Sequence, residues 1–376
     1  MMRPRVALIH DWLTGMRGGE YVLEAIAELF PDAELFTLVE APGTISPALT
    51  RLRRHVSWLQ KMPGGVSRYR HYLPLMPKAI ESFDLTGFDL IVSSSHCVAK
   101  GIRRPPGAVH VSYVHAPMRY MWDRFDEYFG PGKASLPVRL AAHAVRGCLQ
   151  SWDRRASSAD NVDLLIANSH FIAEQISRAY GRKAEVVHPF ADLSRFTLPR
   201  GSGRKYLMVT AFAPYKRVDL AIEAFNRLAL PLQIVGSGQD EARLRAMAGP
   251  TVEFLGSASN DQVADLYAKC RAFVFPGVED FGITPLEAMA SGAPVIAFGE
   301  GGAAETVIDG RTGLFFRPQS AEGLMEAVTR IESGLVAFDE SACRARAAEF
   351  TRGRFQRELM EKIASAFYMA RKEILR

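Results

Sequence analysis

Short apolar runs alternate with amphipathic stretches along almost the whole chain. RVALIHD, residues 5–11, is an apolar run ending in polar residues, the pattern of a parallel strand buried on both faces. GMRGGE follows at 15–20, and then YVLEAIAELF at 21–30 carries its apolar residues at helical spacing. The strand pattern returns in FDLIVSSS (88–95), AVHVSYVHAP (108–117) and VDLLIANS (162–169). Spacings of tens of residues between such runs are what βαβ units require. Near residue 190 the pattern breaks: HPFADLSRFTLPRGSGRK (188–205) gathers proline, glycine and charge as domain linkers do. The alternation then restarts with YLMVTAF (206–212), the helical VDLAIEAFNRL (218–228), PLQIVGSG (231–238), VEFLG (252–256), AFVFPG (272–277), PVIAFGEGG (294–302) and GLFFRP (313–318).

This organisation predicts an α/β protein of two Rossmann-like, doubly wound domains, 1–190 and 191–354. The amphipathic helix FQRELMEKIASAFYMARKEILR (355–376) is expected to pack back on the first domain. Ligands of such sheets sit outside the carboxyl ends of the strands. Two sheets facing each other would therefore make one central cleft, and the residues that follow the strands are the candidates for chemistry.

Composition narrows the field. A chain of 376 residues suits two α/β cores, and 48% hydrophobic with 23% charged residues excludes collagen-like, mucin-like and low-complexity classes. No apolar run approaches the roughly 20 residues of a membrane-spanning helix. The start MMRPRVALIHDW reads as a first strand and not as a signal peptide, so a cytoplasmic location is expected. The four cysteines include no C-x-x-C, which argues against a zinc knuckle or a redox motif. Charge is uneven: residues 1–190 hold 23 Lys and Arg against 18 Asp and Glu, whereas 191–376 hold 23 against 23. Residues 41–80 contain no acid, and their basic residues interleave with Trp58, Leu59, Met62, Tyr69, Tyr72 and Leu73. Such a face suits peripheral contact with an anionic membrane or a lipid diphosphate, or else a solvated surface. No nucleic-acid-binding motif is present, and no nucleic-acid partner is expected.

Four places offer chemistry. In VFPGVEDFGITPLEAMASGAPVIAF (274–298) a strand ends at Pro276, Glu279 lies in the loop, and Thr284 with Pro285 reads as a helix start. Glu287, three residues after Thr284, completes a capping box. The same geometry aims the N–H groups of Gly282, Ile283 and Thr284 at an anion such as a diphosphate, and a carboxylate there accepts from sugar or ribose hydroxyls. In GMRGGE, Gly15, Gly18 and Gly19 lie between a strand and a helix, either as a plain turn or as a phosphate-approaching loop; the Walker ending is missing. Lys216 and Arg217 follow a strand and precede a helix. His115 follows a strand in SYVHAPMRYMWD, and His10 and Asp11 end the first strand. LQIVGSGQDEARL fits G-x-G at Gly236 and Gly238 but has Glu241 where a dinucleotide fingerprint needs its third glycine, so a nicotinamide oxidoreductase is weakly supported.

Glu279 and Glu287, followed by EAMASGAPVIA and GGAAETVIDGRTGLFF, resemble the retaining glycosyltransferases of family 4, which have the GT-B fold. HDWLTGMRGGE and YVHAPMRYMWD are similar to a subgroup that builds bacterial surface polysaccharides, often from GDP-mannose. The resemblance covers nearly the whole chain. It implies that Glu279 contacts donor sugar hydroxyls and Glu287 the nucleotide ribose. It also implies that the backbone of Phe281, Gly282 and Ile283 meets the sugar and diphosphate, and that Phe254 and Leu255 lie by the base, near the Gly236 turn. Lys216 would meet the diphosphate, the Gly15–Gly19 loop would face it, and His115 would lie beside the transferred sugar, which makes His115, Glu279 and Lys216 the catalytic candidates. Acceptor contacts are expected from His10, Asp11, Arg119 and Tyr120, with Trp122 and Asp123 as further candidates.

One departure stands out. The family usually has an arginine five or six residues before the lysine, where this chain has Ala211 and Thr210, so Arg217 is a candidate substitute. No D-x-D occurs, so no metal and no cofactor are expected, with Lys216, helix N-termini and loop amides offsetting the diphosphate charge. The expected activity is hexosyl transfer, with mannose from GDP-mannose, to a lipid-linked or oligosaccharide acceptor. A nucleotide-sugar epimerase and a non-catalytic sugar-nucleotide-binding protein remain as alternatives. A glycoside hydrolase using Glu279 and Glu287 would not need the phosphate-binding loops.

Overall fold

The computed structural model describes residues 4–130, 134–201 and 203–374. Ser202 of the predicted linker and Leu375 and Arg376 of the predicted last helix lie outside the described residues. The chain divides into two compact units, residues 1–188 with 355–376, and residues 189–354.

The first unit is built on seven parallel strands: β1 Val6–His10, β2 Glu34–Thr37, β3 Arg53–Val56, β4 Leu90–Ser95, β5 Val109–Val114, β6 Leu164–Ala167 and β7 Glu185–Val186. Their order across the sheet is β3-β2-β1-β4-β5-β6-β7. The central strands β1, β4 and β5 are buried along their whole length. That burial explains why they read as continuous runs instead of alternating ones. Chain order reverses between β1 and β4, which is where a ligand crevice of a doubly wound sheet opens.

The second unit repeats the plan with β8 Tyr206–Val209, β9 Leu232–Val235, β10 Val252–Gly256, β11 Phe273–Phe275, β12 Val295–Phe298 and β13 Gly313–Phe316. Its order is β10-β9-β8-β11-β12-β13, again all parallel, with the reversal between β8 and β11. The helix Arg352–Ile374 belongs to the first unit from Phe355 onward. There the Phe355 ring meets the Tyr113 ring edge-on at 5.6 Å, Gln356 donates to the Ala25 carbonyl at 3.0 Å, and Lys362 pairs with Glu185 at 2.8 Å.

Among the described residues, no helix is long and apolar enough to cross a membrane. The basic stretch 41–80 does not form one charged face. Arg54 is committed to Glu40 at 2.9 Å, and Tyr69, Leu59 and Met76 are buried in the core. Lys61, Arg68, Arg70 and Lys78 are exposed, as is Trp58.

A buried ion pair ties the first unit together. Lys100, just after β4, meets Asp153 of the helix Leu136–Ala156 at 2.8 Å, and both side chains are fully excluded from solvent. The second Asp153 oxygen accepts from Trp122 Nε1 at 2.8 Å and Tyr180 Oη at 2.9 Å. Lys100 Nζ also donates to the Cys97 carbonyl at 2.7 Å. Truncating one partner strands the other charge in the core. Asp153→Ala is therefore expected to lower stability by about 3–5 kcal/mol, read from urea unfolding curves.

Candidate functional site

Each unit carries its own set of candidate groups, at the carboxyl ends of the strands beside its reversal point. In the first unit, β1 ends at His10 and runs into Asp11. The Asp11 carboxylate is fully buried and accepts four backbone N–H groups from the turn after β4: His96 at 2.7 Å, Cys97 at 3.0 Å, Val98 at 2.6 Å and Ala99 at 2.8 Å. Burial alone would raise its pKa, but the neighbouring imidazoles of His96 and His10 and the backbone donor outweigh it and hold Asp11 below the usual carboxylate range. Asp11 is thus occupied in fastening β1 to the end of β4, and its expected contact with an acceptor has no free oxygen to make.

Three imidazoles gather there. His10 Nδ1 donates to the Ser94 carbonyl at 3.0 Å, and its Nε2 is buried with no hydrogen-bond partner. Ser94 Oγ lies 2.9 Å from His115 Nε2. Burial pushes the His115 imidazole well below its ordinary pKa, so it is neutral in this environment. His96, which the sequence reading passed over, stands between them, with ring centroids 5.8 Å from His10 and 6.2 Å from His115. The helix Gly18–Leu29 brings its first turn to this cluster. A Cβ at Gly19 would lie 3.7 Å from His115 Nε2 and 3.8 Å from His10 Cε1, ordinary contact distances that place the helix start directly against the two rings. Gly18 opens the same turn, and Gly15 takes a positive φ of 146° with open space around it.

The remaining acceptor candidates are placed by the loop after β5. Arg119 is half-buried near His96 and His115, Tyr120 Oη donates to Cys97 Sγ at 2.7 Å, and Trp122 is used by Asp153. Asp123 is exposed.

In the second unit the turn Pro214–Lys216 follows β8 and leads into the helix Val218–Leu228. Lys216 Nζ pairs with Glu279 Oε1, and both are half-buried. Arg217 adopts a left-handed backbone, φ 52°, and its guanidinium is directed to Asp219 at 3.3 Å and Gln319 at 3.4 Å. The expected substitute for the missing arginine is therefore already partnered. Ala211 offers only an exposed methyl group at the family's arginine position.

Glu279 sits in the loop between β11 and the helix Ile283–Ala290. The capping box expected from Thr284 and Glu287 is not formed. Gly282, with φ 84°, is the N-cap, no side chain caps the helix, and Thr284 lies inside its first turn. The start moves because a positive φ at Gly282 turns the chain into the helix two residues early. The first N–H groups of this helix therefore carry no side-chain partner, the arrangement that favours an anion. The loop Glu279–Phe281 rests on the glycines of GEGG: Gly302 N donates to the Glu279 carbonyl at 2.8 Å, and a Cβ on Gly302 would fall 2.1 Å from Phe281 Cα. Only glycine fits under the loop.

Glu287, freed from capping, points its Oε2 at Tyr267 Oη, 3.3 Å away. Its pKa is raised, by burial first; Arg195 and the Tyr267 hydrogen bond pull the other way without overcoming it. Tyr267 and Arg195 were not singled out in the sequence, because neither lies in a strand-end loop motif. Gly236 directly follows β9. Its N–H donates to the Gly256 carbonyl at 2.8 Å, and a Cβ there would lie 1.8 Å from the Thr210 carbonyl oxygen, so it joins strand ends. Phe254 packs on Phe212, with the Arg245 guanidinium 4.7 Å over its ring, and Leu255 packs against the core.

Residues 16–195 match the model of glycosyltransferase family 4, and residues 191–345 that of glycosyl transferases group 1. The chain belongs to the GT-B glycosyltransferases of family 4. Among curated relatives, an uncharacterised glycosyltransferase of Methanocaldococcus jannaschii is 30% identical over 176 residues, 46% of this chain and 50% of the relative. A GDP-mannose-dependent α-mannosyltransferase of Mycolicibacterium smegmatis is 40% identical over 125 residues, 33% of each chain. The chain spans about half the length, or less, of the curated relatives it matches. The crystal structure of Anabaena HepE in complex with UDP has the same fold, with a TM-score of 0.70 at 18% identity over 96% of this chain and all of that one, 100%.

Burial of Glu287 carries a thermodynamic signature. A carboxyl whose folded pKa is raised adds stability below its unfolded value, near 4.5, and loses it as pH rises through the folded value. Glu287→Gln, which cannot ionise, is expected to raise the melting temperature at pH 8 and to leave it close to wild type at pH 4. Thermal scans at the two pH values check this.

Proposed function

We propose that this protein is a retaining glycosyltransferase that takes mannose from GDP-mannose and passes it to a hydroxyl of a lipid-linked or oligosaccharide acceptor in surface-polysaccharide synthesis. The observation that carries the reading is the group in the second unit. Lys216 pairs with Glu279, the uncapped start of the helix Ile283–Ala290 follows in the chain, and the half-buried Glu287 lies one turn along it. These are a cation and amides for a diphosphate, a carboxylate for sugar hydroxyls, and a second carboxylate for a ribose diol. Mannose is favoured by the relatives named GDP-mannose-dependent α-mannosyltransferase in Mycolicibacterium smegmatis and Mycobacterium tuberculosis.

In the reaction, the acceptor oxygen bonds to the anomeric carbon on the face from which the diphosphate leaves, and the bond from that carbon to the phosphate oxygen breaks. The acceptor proton passes to the departing phosphate oxygen, and configuration is retained. Glu279 holds the sugar by its hydroxyls. Lys216 leaves Glu279 for the phosphate as negative charge builds there, assisted by helix-start amides. No step calls for a metal, so EDTA leaves the activity unchanged. The first unit supplies the acceptor groups. Exposed Lys61, Arg68, Arg70 and Lys78, with exposed Trp58 just before them in the sequence, provide peripheral contact with an anionic membrane.

A thermal-shift panel of GDP-mannose, UDP-glucose, UDP-N-acetylglucosamine, ADP-glucose and NADH in EDTA tests the donor. GDP-mannose is expected to raise the melting temperature, and Lys216→Ala and Glu287→Ala are each expected to weaken that response by about ten-fold or more in apparent Kd. A response to NADH alone, or to none of the five, contradicts the proposal. For the membrane contact, replacing Lys61, Arg68 and Arg70 with glutamine is expected to reduce sedimentation with phosphatidylglycerol vesicles, by about 1 kcal/mol per charge at low salt. Unchanged sedimentation removes it.

A further inference from the structure

We infer that His96 is an acceptor-binding residue: Asp11 fixes its ring so that Nε2 takes a hydrogen bond from the attacking hydroxyl. The inference rests on the transferase reading above and adds to it a residue that reading did not use. His96 Nδ1 lies 3.2 Å from Asp11 Oδ2. That carboxylate has four backbone amides on it and cannot turn away. A carboxylate only accepts, so Nδ1 carries the proton and Nε2 is left with its lone pair. The rings around it keep this orientation: Trp12 meets His96 edge-on at 4.4 Å, with His10 and His115 on other sides.

The ring is a quarter exposed, and Nε2 is not among the buried polar atoms lacking a partner. It makes no hydrogen bond among the described residues. A lone pair held at this place repels phosphate oxygens and welcomes a hydroxyl, which separates the role of His96 from that of the helix-start amides of the second unit. Burial lowers the His96 pKa to about 4, against the pull of Asp11 and with His10, Arg119 and Lys100 adding to the fall. A group so weakly basic orients a hydroxyl and leaves its proton for the departing phosphate, as the retaining reaction requires. The other groups of the cluster do not compete for this work. His10 Nε2 is buried, and His115 Nε2 faces Ser94.

Two variants separate this role from a structural one. In His96→Asn the side-chain amide stands where Nδ1 was and keeps the bond to Asp11, but nothing replaces Nε2. In His96→Gln the amide oxygen reaches the Nε2 position. The full chain is tested with GDP-mannose, following donor binding by calorimetry and mannose release to water and to methyl α-D-mannoside. The expected result is unchanged donor affinity in both, a loss of turnover of about ten-fold or more in His96→Asn, and partial recovery in His96→Gln. Wild-type turnover in His96→Asn, or recovery no better in His96→Gln, overturns the inference alone. A wild-type chain that neither binds nor turns over the donor overturns the transferase reading and the inference with it. Nitrogen NMR of the ¹⁵N-histidine-labelled chain gives a check that needs no turnover. The Nδ1–H tautomer of His96 is expected at neutral pH, and the Nε2–H tautomer overturns the inference.

Discussion

The buried carboxylate of Asp11 is the constraint on which the candidate groups of the first unit depend. A charge with no solvent is tolerable only if hydrogen bonds replace the water it lost, and four consecutive backbone amides do so here. The consequence is mechanical. The end of β1 and the turn after β4 are locked together at the reversal point of the sheet, and the residues there inherit a fixed geometry. Burial depresses the His96 and His115 imidazoles while Asp11 keeps the charge, so these two rings are neutral beside a buried carboxylate. The Lys100–Asp153 pair a few residues later anchors the same turn from behind and, through Trp122, steadies the loop that bears Arg119 and Tyr120.

The second unit solves a different problem by different means. Where the first unit buries charge and neutralises it with amides, the second keeps its amides open. Gly282 starts a helix without a cap, and Gly301 and Gly302 bring the Glu279 loop close against the GEGG turn. Glu279 and Lys216 satisfy one another, and in the proposed reaction each would exchange that partner for a piece of a sugar diphosphate. Glu287 is kept in an environment that disfavours its charge, and a ribose diol would supply the donors it lacks. With alanine at 211 and Arg217 engaged by Asp219, a diphosphate bound as proposed would rest more on Lys216 and the helix start.

Much of this was legible in the sequence, for physical reasons that can be named. Strands buried on both faces leave uninterrupted apolar runs, so β1, β4, β5, β6 and the strands of the second unit were visible. Glu279, Lys216 and His115 stood out as candidates because residues that follow strands face the ligand side of a doubly wound sheet. The capping box at Thr284 was misread because spacing cannot show that Gly282 turns with a positive φ and starts the helix early. Gly236 lies so close to the Thr210 carbonyl that no side chain fits, a demand of the neighbouring strand end that the sequence alone does not display. His96 was missed although SSSHCVAKG follows a strand: its importance comes from Asp11, 85 residues away in sequence, and no local motif announces that contact. The basic stretch 41–80 read as one face, yet folding spends Arg54 on Glu40 and Tyr69 on the core.

The central claim is transfer of a sugar from a nucleotide with retention at the anomeric carbon. The most direct measurement is proton NMR of the purified chain with GDP-α-mannose in EDTA, following GDP release and the anomer formed first, before mutarotation. The account predicts release of GDP with the α-anomer as the initial product, whether water or an added sugar receives it. A β-anomer formed first, or a change of the sugar while it stays on the nucleotide, would contradict it.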